Sequence, residues 1–299
     1  MSARIAFVGL GNMGGPMAAN LVKAGFEVSG FDLAPASQEV AARNGVRVGA
    51  TLAETVAGAE TIMTMLPAGK QVLSVWTELA SLVAAGTLLI DCSTIDVAGA
   101  RKAHGLASDA DCVSLDAPVS GGTVGAAAAT LTFMVGGSEE VFARGAPILG
   151  RMGSRAIHCG DAGSGQAAKI CNNMILGVTM AGVAEAFVLA EKLGLSHQAL
   201  FDVTSTSSGQ CWSITTNCPV PGPVPASPAN KGYKPGFAAA LMLKDLSLAQ
   251  DAANSVGAVT PLGAQAMQLF RLFNSLGHGE SDFSAIIKLW RGEAEGNRI

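Results

Sequence analysis

Lys169 and Asn173 stand four residues apart in the stretch G-Q-A-A-K-I-C-N-N-M, Gly165 to Met174, at the head of the longest apolar run of the sequence. If this stretch is helical, the two share one face with Cβ atoms about 5–6 Å apart. A deprotonated lysine can take a proton, and a carboxamide can hydrogen-bond an oxygen without titrating, so the pair suits proton abstraction from one small hydroxylated substrate. Gly165, four residues before Lys169, would leave room beside them. A lysine on a helix is, taken alone, more often a solvated surface charge, and the rest of the chain must supply the reason to read this one as a site.

The N-terminus supplies part of it. Arg4 to Leu10 (R-I-A-F-V-G-L) is a short strand-like run that breaks into Gly9, Gly11 and Gly14, and P-M-A-A-N-L-V-K-A-G follows with helical apolar spacing at Met17, Leu21 and Val22. In a strand–turn–helix setting, G-x-G-x-x-G lets the backbone approach a pyrophosphate, and the N–H groups and dipole of the helix start receive its charge. Such a fingerprint expects an acid about 20 residues on, at the end of the next strand. E-V-S-G-F-D places Asp32 eighteen positions past Gly14. A carboxylate there accepts ribose hydroxyls and repels a 2′-phosphate, and no Arg occurs from Leu33 to Ala42 to hold one, so NAD is expected over NADP.

Further strand-like runs alternate with helical stretches: T-I-M-T-M-L before Pro67, T-L-L-I-D-C before Ser93-Thr94, and C-V-S-L-D-A before Pro118. Alternation of this kind signals a mostly parallel sheet, with ligands at the carboxyl ends of its strands. Leu66, Pro67, Ser93 and Thr94 are therefore candidates to line a cofactor crevice, although for Pro67 and Ser93 a plain loop role is equally open. In D-A-P-V-S-G-G, Ser120, Gly121 and Gly122 offer a hydroxyl and unobstructed N–H groups suited to a carboxylate; an ordinary turn is the alternative. T-L-T-F-M-V-G-G and the helical S-E-E-V-F-A-R complete this half.

After Gly160 strand-like runs vanish, and helices are expected over Gln166–Leu193, His197–Thr206, Ala238–Val256, Pro261–Phe273 and Phe283–Arg291. The chain thus reads as α/β: an N-terminal Rossmann-type doubly wound domain over residues 1–163, followed by an all-α domain over 164–299 for substrate binding and oligomerisation. Its length of 299 residues fits two cores rather than one. Lys244 beside Asp245 in an apolar helix is either an inward pair or a surface ion pair. The proline-rich Asn217–Pro228 suits an ordered loop without regular structure.

With 49% hydrophobic and 14% charged residues and a net charge of −4, the composition argues against disorder and against a nucleic-acid or membrane-surface partner. Six scattered cysteines without a Cys-x-x-Cys pair read as reduced and cytoplasmic. No targeting segment is visible, and the apolar run Met174–Ala184 is shorter than the roughly 20 residues a bilayer span needs. His104, His158, His197 and His278 have no carboxylate or cysteine at motif spacing, so no metal is expected.

Hydride transfer to a nicotinamide needs a group to take the alcohol proton, and a desolvated lysine can serve. Lys169, at the start of the second domain, is the candidate base. Asn173 would hold the substrate oxygen, and Ser120, Gly121 and Gly122 the carboxylate.

The motifs G-L-G-N-M-G-G-P-M, M-L-P, S-T-I, D-A-P-V-S-G-G, G-Q-A-A-K-I-C-N-N-M, S-S-G-Q-C-W-S and K-D-L, taken jointly, identify a chain that resembles the β-hydroxyacid dehydrogenases over essentially its whole length. The resemblance implies that Lys169 is the catalytic residue, aided by Asn173, and that Asn173 and the Ser120-Gly121-Gly122 turn contact substrate. It implies NAD contacts from Gly9, Leu10, Gly11, Asn12, Met13, Gly14, Leu66, Pro67, Gln71 and Thr94, and a nicotinamide-side role for Lys244. It further implies oxidation of (S)-3-hydroxyisobutyrate to methylmalonate semialdehyde, a step of valine catabolism, by a homodimer or homotetramer. A tartronate or succinic semialdehyde reductase is the rival of the same family, and a non-catalytic binding or oligomerisation module the rival of another class. One departure stands out: the family often shows Tyr-Asn before the proline-rich loop, where this chain has Asn217-Cys218.

Overall fold

The computed structural model describes residues 4–294. Contacts divide the chain into Met1–Lys169 and Ile170–Ile299. In the first unit β1 (Arg4–Val8), β2 (Glu27–Phe31) and β3 (Arg47–Val48) alternate with α1 (Gly14–Lys23), α2 (Pro35–Arg43) and α3 (Leu52–Val56). Next come β4 (Thr61–Thr64), β5 (Leu88–Asp91) and β6 (Val113–Asp116), separated by α4 (Gly69–Leu79) and α5 (Val97–Asp109). The unit goes on through β7 (Val119–Ser120), α6 (Gly122–Ala128), β8 (Leu131–Gly136), α7 (Glu139–Leu149) and β9 (Gly153–Gly160).

The sheet runs β3-β2-β1-β4-β5-β6-β8-β7, with β9 beside β8. From β3 to β6 all pairings are parallel, while β8 runs antiparallel to β6 and β7. This is the doubly wound arrangement expected. The chain steps outward from β1 to β3, then returns to β4 on the other side, so the crevice at the carboxyl ends of β1 and β4 is the topological switch point where such sheets bind ligands.

The period of two explains why the strands read as continuous apolar runs. Ile5 and Phe7 of β1, Met63 of β4 and Leu88 and Ile90 of β5 join one core cluster. Their neighbours Ala6, Val8, Ile62 and Leu89 point the other way into a second. Both sheet faces are covered by helices, so both of these alternating sets are buried, at roughly 1.5–3 kcal/mol per large apolar side chain. The strand β9 was not expected: its G-S-R-A-I-H-C-G has partly exposed residues and no apolar alternation, and it forms by pairing with β8.

Helix α8 (Ser164–Lys192) starts one residue past the expected domain boundary and runs through the division after Lys169. At 29 residues the helix as a whole is long and apolar enough, by length and composition alone, to cross a membrane, although the apolar run Met174–Ala184 within it is shorter than a span. Half of its most apolar window is buried inside the protein. Met180, Ala184 and Phe187 of α8 join the core of the second unit, so it is a core helix.

The second unit adds α9 (His197–Thr204), α10 (Trp212–Thr215), α11 (Ala239–Val256), α12 (Pro261–Phe273) and α13 (Ile287–Arg291). Phe283–Ile286, expected as part of the last helix, is a 3-10 turn leading into α13. Met242 and Leu246 of α11 and Phe270 and Phe273 of α12 fill its core. Arg291 donates through two nitrogens to Glu191 and so pins α13 to α8. That guanidinium holds the Glu191 carboxyl below its usual range, against the opposing effect of burial. Residues 217–227 form an ordered loop without helix or strand. Ser227 Oγ donates to the Cys218 carbonyl at 2.6 Å and Asn217 Nδ2 to Asp282 Oδ1 at 3.2 Å, so the departing Asn217-Cys218 pair is part of the packing that shapes the loop.

Candidate active site

The three glycines after β1 do three different things. Gly9 has φ +93°, a conformation open to glycine, and a Cβ there would lie 2.2 Å from the Met65 carbonyl oxygen at the end of β4. A Cβ at Gly14 would lie 1.9 Å from the Gly9 carbonyl, so α1 packs directly on the turn. Gly11 is exposed, and nothing lies within 4 Å of where its Cβ would stand. Helix α1 has no side-chain cap among the described residues and no acid in its first turn. Its N–H groups and positive dipole end therefore suit an anion such as a pyrophosphate.

Asp32 follows β2. Its Oδ2 accepts from Leu10 N–H at 2.6 Å and its Oδ1 from Ala34 N–H at 2.8 Å. The carboxylate thus ties its own strand end to the glycine turn, and its remaining lone pairs can accept ribose hydroxyls.

At the end of β4, Leu66 N–H donates to Ser93 Oγ at 2.8 Å, and Ser93 Oγ donates to Asp91 Oδ1 at 2.6 Å. Thr64 Oγ1 donates to the same oxygen at 2.7 Å, and Trp76 Nε1 to Thr64 Oγ1 at 3.1 Å. The donors thus crowd onto one oxygen of Asp91; Oδ2 has no partner among the described residues. Burial pushes the Asp91 carboxyl up to about 6, only partly offset by the bonds from Ser93 and Thr64. Ser93 is fully buried and turned inward, so it holds the Leu66 loop and does not line a crevice. Pro67 and Gln71 are exposed, and Thr94 is half-buried.

Asp116 ends β6 opposite Asp91 in the parallel register. Its Oδ1 accepts from Gly163 N–H at 2.8 Å and its Oδ2 from Gln166 N–H at 2.9 Å, so it caps α8 from 50 residues away. His104 Nε2 meets Asp116 Oδ1 at 2.9 Å, and its Nδ1 meets Ser114 Oγ at 2.8 Å. Two histidines thus do find a carboxylate, His104 here and His197 at 2.6 Å from Glu191, and both partners lie outside any motif spacing. Lys169 stands in the capped segment of α8 and is only 7% exposed, which removes the surface-charge alternative. Gly165 serves a different purpose from the one expected. A Cβ there would lie 2.4 Å from the Met134 carbonyl and 2.6 Å from that of Asp116, so it seats the helix on the sheet rather than opening room for substrate.

In β7, Ser120 pairs with Thr132 of β8, and Gly121 and Gly122 follow with φ +131° and +60°. In the helical unit Asn173 is 1% exposed. Its Nδ2 donates to Asp245 Oδ2 at 2.5 Å, and its Oδ1 accepts from Asn172 Nδ2 at 2.9 Å. Asp245 is itself 3% exposed, with Lys244 Nζ 3.8 Å from its other oxygen. Asp245 is thus the inward member of the pair, and the Lys244 side chain keeps 32% exposure.

Residues 4–160 match the family described as the NAD binding domain of 6-phosphogluconate dehydrogenase. Residues 163–290 match the one described as NAD-binding of NADP-dependent 3-hydroxyisobutyrate dehydrogenase. A probable 3-hydroxyisobutyrate dehydrogenase of Mycobacterium tuberculosis is 54% identical over 291 residues, covering 97% of this chain and 99% of that one. The chain belongs to the 3-hydroxyisobutyrate dehydrogenases of the β-hydroxyacid dehydrogenase family.

It is an NAD-dependent 3-hydroxyacid dehydrogenase. A solved structure of the Mycobacterium tuberculosis 3-hydroxyisobutyrate dehydrogenase with L-serine has a TM-score of 0.94 at 54% identity, over 97% of this chain and 100% of that one. An NAD-dependent L-serine dehydrogenase of Pseudomonas aeruginosa is 43% identical over 290 residues, 96% of this chain and 97% of that one. The sequence alone assigned no role to Asp91, Asp116 or Gln166, and Asp245 stood out only as the neighbour of Lys244. Of these only Asp245 left a local signal, an acid within an apolar helical pattern. The others are recognised by partners far away in the chain.

Proposed function

We propose that this dehydrogenase oxidises (S)-3-hydroxyisobutyrate to methylmalonate semialdehyde, as in valine catabolism, with Lys169 as general base. Bound NAD would accept the hydride from the hydroxyl carbon. Lys169 Nζ takes the hydroxyl proton as the carbonyl forms. Asn173 donates its amide N–H to the substrate oxygen, and Asp245 fixes how that amide is turned. Ser120 Oγ and the N–H groups of Gly121 and Gly122 hold the carboxylate. Gly9 to Gly14, Asp32, Leu66, Pro67, Gln71, Thr94 and Lys244 hold the cofactor.

The observation that carries this reading is the burial of Lys169 in the capped start of α8, one turn before a buried, oriented Asn173. The names of the 54%-identical relatives support the choice of acid. L-Serine is the second reading, favoured by the serine dehydrogenase relative and by the L-serine that accompanies the solved Mycobacterium tuberculosis enzyme. It is also a 3-hydroxy acid and differs at C2, where an amino group replaces the methyl.

An NAD-reduction assay over 3-hydroxy acids bearing methyl, amino or hydrogen at C2 separates them. Highest kcat/KM on the methyl compound is expected. Preference for serine would replace the first reading by the second, and NADH oxidation with tartronate semialdehyde or succinic semialdehyde, without NAD reduction on any of these hydroxy acids, would move the chain to the rival reductases.

The six thiols are all free, which suits a reducing compartment and supports a cytoplasmic placement. Ile175 and Leu189 of α8 and Val203 of α9 are exposed and apolar, in keeping with a homodimer or homotetramer. Sedimentation of the full chain tests the oligomer, and a monomer at micromolar concentration would remove it.

A further inference from the structure

We propose that Gln166 is a positioning residue that locks the Thr94 loop to the helical segment carrying Lys169. The proposal rests on the reading of Lys169 as base and Thr94 as a cofactor contact, but its geometry lies wholly within Met1–Lys169. Gln166 is fully buried. Its Nε2 donates to the Ser93 carbonyl at 2.7 Å, and its Oε1 accepts from Ile95 N–H at 3.1 Å. One carboxamide therefore satisfies the two main-chain groups flanking Thr94, as a neighbouring strand would.

The backbone of the same residue is held from the opposite side. Gln166 N–H donates to Asp116 Oδ2, and Gly163 N–H to Asp116 Oδ1. The start of α8 is thus fixed to the end of β6 by a carboxylate and to the end of β5 by an amide, three residues before Lys169. A third tie, Leu66 N–H to Ser93 Oγ, brings in the end of β4. Leu66, Thr94 and Lys169, which come from separate parts of the sequence, share one hydrogen-bonded frame with Gln166 at its junction.

Few side chains could replace it. The position needs a donor and an acceptor on one flat group at this length: asparagine is a methylene short, ionised glutamate lacks the donor, and methionine lacks both. Protonated glutamate, however, supplies both, with O–H facing the Ser93 carbonyl and C=O facing Ile95 N–H. The titratable and charged groups on the surrounding elements are Asp91 and Cys92 at the end of β5, Asp96 before α5, Arg101 and His104 on it, Asp116 on β6, Asp161 before α8 and Lys169 on α8 itself.

The test uses the full chain with Gln166→Met and Gln166→Glu, reading NADH affinity by fluorescence titration without substrate, then kcat and KM. Gln166→Met should weaken NADH binding several-fold and lower kcat by about tenfold, with KM for the hydroxy acid changed less. Gln166→Glu should bind NADH with near wild-type affinity at low pH and lose it as the introduced carboxyl ionises, a loss beyond whatever pH dependence wild type shows from the groups the two share, Asp91 among them. A residue that only stabilises the fold would lower Tm and leave the pH dependence of NADH affinity the same as in wild type.

Folded variants with wild-type NADH affinity and kcat at every pH would overturn the proposal. If neither variant folds, amide exchange in the wild-type protein decides, since Ile95 N–H must be protected and exchange at the rate of an open loop would refute the lock. Lys169→Ala run in parallel keeps the two ideas apart: unchanged kcat there sinks the base, whereas the NADH titrations judge Gln166 on their own.

Discussion

In the unit Met1–Lys169 the groups that would meet the cofactor stand on turns at the carboxyl ends of strands, and side chains hold those turns by their main chain. Asp32 grips Leu10 N–H, Ser93 grips Leu66 N–H with Asp91 behind it, and Asp116 grips the start of α8. Around Asn173, in the unit Ile170–Ile299, the arrangement is side chain on side chain: Asp245 of α11 turns the amide of Asn173 and stands beside Lys244. Where the chain of that unit leaves its helices, Asp282 grips the N–H groups of Gly236, Phe237 and Ser284 as the acids of the first unit do. A parallel sheet leaves unpaired N–H groups where its strands stop, and acids collect them. Packed helices satisfy their own backbones, so an acid between them orients other side chains. Loss of an acid that grips a turn of the first unit should therefore move loops and cofactor affinity, and loss of Asp245 in the second should move the substrate terms.

The largest effect should come at the last residue of the first unit. Lys169→Ala is expected to lower kcat by about 10²–10⁴-fold, the usual weight of a general base, with NADH affinity nearly intact. Unchanged kcat would refute the role. Next, Asp32→Ala should weaken NAD binding by about tenfold or more and shift the ratio towards NADP, because it frees the Leu10 turn as well as removing the ribose acceptor. If affinity holds and only the ratio moves, the tie to Leu10 matters little, and the contrast between the units weakens.

Asp245→Ala is expected to raise KM for the hydroxy acid by about tenfold and leave NADH titrations unchanged. Loss of NADH affinity instead would mean that Lys244 is the more important partner of Asp245.

The last effect is on stability and leaves turnover aside. The folded Asp91 carboxyl sits at about 6 against an ordinary 3.8, so between these values the folded chain holds a proton that the unfolded chain has released. Stability should fall as pH rises through that window, by at most about 3 kcal/mol. Asp91→Asn, whose amide oxygen can still accept from Thr64 and Ser93, should flatten that slope and raise Tm at pH 8. A slope unchanged in the variant would assign it to another group.

Much of this was legible in advance wherever the cause is local. Gly9, Gly11 and Gly14 are separated by fixed steps because the turn and the first coil of α1 are contiguous. Ile5 to Val8 and Leu88 to Ile90 announce strands buried on both faces because apolar residues fill both sides of the pleat. Lys169 and Asn173 share a helix face because 3.6 residues make a turn.

The reading failed where the partner is distant or the pattern absent. β9 has no alternation of its own and is a strand only because β8 pairs with it. Gly165 looked like an opening and is a seat, a distinction that depends on the Met134 and Asp116 carbonyls. The cap of Asp116 on Gln166 spans 50 residues, the amide of Gln166 reaches back 73 to Ser93, and Asp245 lies 72 from Asn173. Spacing along a chain encodes what neighbouring bonds allow; which buried acid meets which unpaired N–H is decided by strand order and helix packing, and exists only once the fold is made.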